Sequence, residues 1–101
     1  HGAAAADVVA AGGVAALLDV VRDGHPRGHA TAAWALTELI RSHTAAAAAL
    51  FDAGGVLPLL DVVRSGDVHG RSHASAALKE MLEYHPAAAA DVADGGGVAT
   101  L

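Results

Sequence analysis

Apolar side chains recur along this chain at the spacing of an α-helix. Ala32, Ala33, Leu36, Leu39 and Ile40 fall on one stripe, and Ala74, Ala77, Leu78, Met81 and Leu82 form a similar stripe further on. These stripes predict long helices over about Pro26–Ser42 and Val68–Tyr84. Shorter helices are predicted at roughly Val14–Asp23 and Val56–Ser65, with Pro58 tolerated in a first turn. A third, mostly alanine, kind covers about Thr44–Asp52 and Pro86–Asp94, and Pro86 suits a first helical position because its missing N–H has no partner to lose there. Between these elements stand glycines. Pairs before Val14 and Val56 permit sharp turns, since glycine reaches positive φ without strain. Gly24 and Gly66 follow the shorter helices as C-terminal caps.

The elements repeat. Ala11-Gly12-Gly13-Val14 returns as Ala53-Gly54-Gly55-Val56 and again as Gly95-Gly96-Gly97-Val98, each step being 42 residues. Laying 11–52 over 53–94 gives 22 identities in 42 positions, including Leu17–Arg22 over Leu59–Arg64, Gly24 over Gly66 and Gly28 over Gly70. Alanine bias does not account for the glycines or the six-residue run. The expected organisation is therefore residues 1–10 as the end of one unit's first helix and its turn, 11–52 and 53–94 as full three-helix units, and 95–101 as the start of another. Partial units at both ends, and a first residue of His1, make the chain read as an excerpt of a longer one. A single unit cannot bury its own apolar face, but stacked units form a continuous core. Apolar stripe residues at the ends lead to an expectation of marginal stability or self-association.

Composition narrows the class. About a quarter of the positions are alanine and only Trp34, Phe51 and Tyr84 are aromatic, so Leu, Val, Ile and closely packed Ala must build the core. That favours an all-α fold. Net charge is −5 with six Lys or Arg scattered along the chain, which leaves no basic stripe for nucleic acid. No apolar run reaches the length of a membrane span. Without cysteine there is no disulfide framework or thiolate metal site, which fits the cytoplasm or nucleus.

Three helices per unit, a period near forty and a glycine pair before the second helix resemble the armadillo repeat family. The specific stretches are Ala53-Gly54-Gly55-Val56-Leu57-Pro58-Leu59-Leu60, Asp61-Val62-Val63-Arg64-Ser65-Gly66-Asp67 and Ala32-Ala33-Trp34-Ala35-Leu36-Thr37-Glu38-Leu39. The resemblance spans essentially the whole chain and implies a right-handed α-solenoid whose third helices line a concave, peptide-binding groove. Trp34 stands where that family carries a groove Trp. Glu38 stands where it carries an Asn, and the next unit has Ala76 and Glu80 at the two places. A carboxylate only accepts hydrogen bonds where an amide both donates and accepts, so the ligands of nuclear-import receptors do not carry over. Gly24-His25-Pro26-Arg27-Gly28-His29 is also similar to the corresponding loop of plant armadillo proteins, some of which carry a U-box.

Helical spacing places Thr31, Trp34, Glu38 and Arg41 on one face of the helix over 26–42, and His73, Ala76, Glu80 and Glu83 on the matching face over 68–84. These eight are the candidate protein-binding residues. Trp34 is either an apolar anchor or a filler of space left by small neighbours. Glu38, Glu80 and Glu83 either favour a basic ligand segment or are merely solvated. The function expected is a scaffold holding a protein or extended peptide. The alternatives are the substrate-recruiting arm of a ubiquitin ligase and a purely structural spacer.

Catalysis and cofactors are not expected. Seven histidines include the pairs His25/His29 and His69/His73, four apart as metal ligands on one helical face can be. The pairs are offset by 44 rather than 42, and neither has an adjoining Cys or a metalloprotease Glu. His1, His43 and His85 follow the repeat as linker residues. The triple glycine at 95–97 lacks the Lys-Ser/Thr of a phosphate loop.

Overall fold

Alanine-rich segments with glycine at their borders should give helices joined by tight turns, and they do. The computed structural model describes residues 2–95, with side chains from Gly12 onward. Apart from short junctions these residues are helical: α1 Gly2–Asp23, α2 Pro26–Ser42, α3 Ala45–Asp52, α4 Val56–Ser65, α5 Val68–Tyr84, and a 3-10 turn over Pro86–Ala88 leading into α6, Ala89–Ala93. His1, the Gly96-Gly97 part of the last glycine turn and the unit expected to begin there lie outside the described residues.

The two long helices start and stop where local chemistry dictates. His25 has extended backbone and its Nδ1 accepts from the Arg27 N–H at 3.2 Å, with Pro26 opening α2. At the equivalent place, 42 residues on, Asp67 Oδ1 accepts from the Gly70 N–H at 2.7 Å and opens α5. Each satisfies a first-turn N–H that has no partner within the helix. Gly24 and Gly66 do close the preceding helices, donating to the Val20 and Val62 carbonyls at 2.8 and 2.7 Å. Left-handed backbone is not the reason for the glycine at Gly66, which has φ −74°. A Cβ at Gly24 or Gly66 would stand 2.4 or 2.5 Å from the carbonyl oxygen of Val20 or Val62, closer than any real contact.

The helices lie in two layers, and the shortest dimension of 20 Å is about two helix diameters. α2 lies along α5, α1 backs α2, α4 backs α5, and α3 sits against both α1 and α5. Ala32, Ala33, Ala74 and Ala77 are buried in α2 and α5, small side chains that allow close approach. Larger residues complete the core: Leu18, Leu36, Ile40, Leu50, Leu59 and Met81 are fully buried. Each such side chain contributes about 1.5–3 kcal/mol on removal from water.

The 42-residue period reappears in the contacts. Arg22 Nη2 donates to the Ala53 carbonyl at 2.8 Å, and Arg64 Nη2 donates to the Gly95 carbonyl at 3.4 Å. Each arginine also faces an aspartate three residues before it, Asp19 at 3.8 Å and Asp61 at 3.3 Å. Gly28 and Gly70 likewise face Val20 and Val62, where an added Cβ would come within 3.1 and 3.3 Å of a methyl group.

One predicted turn is absent. Residues 1–10 were expected to end in a turn at Ala11–Gly13, but α1 runs unbroken through Gly12 and Gly13. The equivalent turn at Ala53–Gly55 does form, with Gly54 at φ 78°. There α3 packs on α1 and α5, and Arg22 holds the Ala53 carbonyl. Among the described residues no element precedes α1 to hold a turn, so helix-favouring alanine on either side wins over the permission that glycine gives. Substitution should reveal the difference in sign. Gly12→Ala meets nothing within 4 Å and is expected to stabilise by about 0.5–1 kcal/mol. Gly54→Ala, in left-handed backbone, is expected to cost about 1–2 kcal/mol. Paired urea titrations would measure both.

No single described helix is long and apolar enough to cross a membrane.

Candidate functional site

The outward faces of α2 and α5 meet in a shallow groove of about 350 Å³ lined by Ala30, Thr31, Trp34, His69 and His73. Trp34 owes its place to the helical period: Ala33 and Leu36 beside it turn inward, leaving the indole outside. It is 52% exposed, so it does not fill the core. Thr31 is one turn earlier on α2 and exposed; His73 comes from α5 and is half-buried. An indole face, a hydroxyl and two imidazoles offer one apolar platform and several hydrogen-bonding groups.

The eight predicted residues are not equally placed. Thr31, Trp34 and His73 come together around the groove. Ala76 is half-buried on α5, and Glu38, Arg41 and Glu83 are exposed but do not line it. Glu80 differs most from expectation. It is buried, 5% exposed, and Arg41 of α2 approaches its carboxylate at 3.4 Å while also bonding Glu38 at 2.8 Å. One guanidinium thus serves two of the three carboxylates proposed to attract a basic ligand. Packing of α2 on α5 closes over Glu80, which its own helix could not reveal.

His69, which the sequence offers as half of a possible metal pair, lines the groove. Its spacing of four from His73 was the available signal. Its counterpart pair separates: His25 is occupied in capping α2, while His29 lines a second cleft. That cleft, about 400 Å³, runs along α4 between the end of α1 and the starts of α2 and α5, with Arg22, Pro26, Leu57 and Asp61 also on its walls. His29 Nε2 is buried there without a hydrogen-bond partner. The charged groups of this cleft are engaged elsewhere, Arg22 with Ala53 and Asp61 with Arg64. His85, one of the period-following histidines, packs against Phe51 with ring centroids 4.9 Å apart. Among the described residues no three His, Cys, Asp or Glu side chains converge as a metal site.

Comparison with known proteins returns no matching family model, no similar curated protein and no similar solved structure. Shown is the class: an all-helical protein, built among the described residues from helices that repeat local contacts at a 42-residue interval.

Proposed function

We propose that this chain is part of an armadillo-type, right-handed α-solenoid that holds an extended peptide or protein segment across the face of α2 and α5, without catalysing a reaction. The observation that carries the reading is Trp34, a large aromatic left half in water beside a groove with hydrogen-bonding walls. Exposed aromatics of this kind are enriched among residues that dominate binding energy. The duplicated arginine–carbonyl contacts and matching helix ends support a stacked-unit architecture.

The ligand is read as an extended segment that sets an apolar side chain on the Trp34 ring and offers backbone groups to Thr31, His69 and His73. Net charge on the segment matters less than the sequence implies, because Glu80 is buried and paired and Glu38 shares its arginine.

The experiment is selection of binding peptides from a random library, followed by titration against variants. Trp34→Ala, and Thr31→Arg to fill the groove, are expected to weaken the selected peptides on the order of tenfold or more. Thermal melts should change little, since both side chains are exposed. Undiminished affinity in both variants would sink the reading.

A further inference from the structure

The two units bury opposite sides of equivalent helices. Ala33, Thr37 and Ile40 of α2 and Leu18 and Val21 of α1 are buried, whereas their counterparts Ser75, Lys79, Leu82, Leu60 and Val63 are exposed or half-buried. The reverse holds on the other side: Leu59, Ala77, Glu80 and Met81 are buried, but Leu17, Ala35, Glu38 and Leu39 are not. Among the described residues, two end faces are therefore left open. The outer one is α5 with α4, corresponding to the side of α2 and α1 turned toward the second unit. The inner one is α2 with α1, corresponding to the side of α5 and α4 turned toward the first.

These faces are the repeat counterparts of the two that form the interface between the units. Head-to-tail stacking of copies is then the obvious contact, and such contacts are open-ended. Charge decides otherwise. The internal interface carries Arg41 opposite Glu80 at 3.4 Å. Forty-two residues after Arg41 the chain has Glu83, and forty-two before Glu80 it has Glu38. A second copy stacked in the same register would set Glu83 against Glu38, carboxylate against carboxylate. The neighbouring outer-face positions are polar too, Ser75 for Ala33 and Lys79 for Thr37.

We propose that the outer face of α5 and α4 is a helix-docking surface whose occupant carries a basic side chain where α5 carries Glu80, and that Glu83 makes this surface refuse a second copy of the chain. The occupant is a helical segment with an Ala/Leu-type stripe to cover Leu60, Val63 and Leu82 and a Lys or Arg to meet Glu83. Like-charge juxtaposition across a contact sets specificity more than affinity. This runs against the self-association that apolar end stripes alone imply.

The chain itself can be turned into that occupant. Glu38 is exposed, so Glu38→Arg gives up only its 2.8 Å ion pair with Arg41 and presents a cation to Glu83 of the next copy. Sedimentation equilibrium at low ionic strength, with circular dichroism to verify folding, compares the parent chain, Glu38→Arg, Glu83→Arg and the double variant. Each single variant is expected to self-associate on the order of tenfold more tightly than the parent, with the gain reduced by added salt. The double variant restores a like-charge pair and is expected to return to the parent's behaviour. Equal association by all four, none by either single variant, or association by the double variant as strong as by the singles would overturn the proposal.

Discussion

Leu36→Ala is expected to cost about 2–5 kcal/mol of stability. The side chain is fully buried in α2, in a core where seven of the buried positions are alanine: Ala32, Ala33, Ala46, Ala47, Ala74, Ala77 and Ala88. Removing its isobutyl group leaves a void that methyl-sized neighbours are too short to fill, so the cost should fall in the upper half of that range. Small helical proteins hold roughly 5–15 kcal/mol in total, and a domain of this size loses about 4–8 °C of melting temperature per kcal/mol. The variant should therefore unfold tens of degrees below the parent. Leu57→Ala, at a position 47% exposed, is the control and should stay within about 0.5 kcal/mol of it. Denaturant titrations of the two variants measure the contrast. Equal losses would mean that α2 does not carry the core.

The second large effect concerns Arg41. Its truncation leaves Glu80 buried without the group that faces it. A wholly buried pair broken in this way loses about 3–5 kcal/mol. The arginine itself is half-exposed, so water can reach the vacated place and about 1–3 kcal/mol is the better expectation for Arg41→Ala. Replacing both partners at once, Arg41→Met with Glu80→Leu, removes the stranded charge and should recover most of the loss. A double variant as unstable as Arg41→Ala would mean that packing, not charge, explains the effect. The same pair underlies the selectivity proposed for the outer face of α5, so its strength bears on both surfaces.

Much of the fold was legible because its borders are written in local chemistry. Gly24, Pro26 and Gly66 each act on the backbone beside them, and α1 ends, α2 begins and α4 ends where those residues place them. The double glycines are a weaker signal. Gly12-Gly13 and Gly54-Gly55 are identical in sequence, yet only the second pair turns, because α3 and Arg22 hold it. Glycine allows a turn, and a packed neighbour decides whether one forms. The all-helical class was equally plain from the apolar spacing.

The candidate site was legible in part for a related reason. Helical period alone placed Thr31, Trp34 and His73 outward, and they line one groove. That same period put Glu38 and Glu80 in equivalent positions, and they are equivalent on their own helices. What separates them is a neighbour: α2 covers Glu80, while among the described residues nothing covers Glu38 in the same way. No pattern within a single helix carries that distinction. The four-residue spacing of His69 and His73 is the sequence signal that puts both imidazoles on one wall of the groove.

Trp34 is the single tryptophan of the chain, which makes its emission a direct report on the groove. The most direct test is a fluorescence titration of the parent chain with peptides selected for binding to it. Binding across α2 and α5 should withdraw the indole from water, shift its emission to shorter wavelength in a saturable way, and fail with Thr31→Arg. Peptides that bind as tightly while leaving the emission unchanged would place the ligand elsewhere and contradict the account.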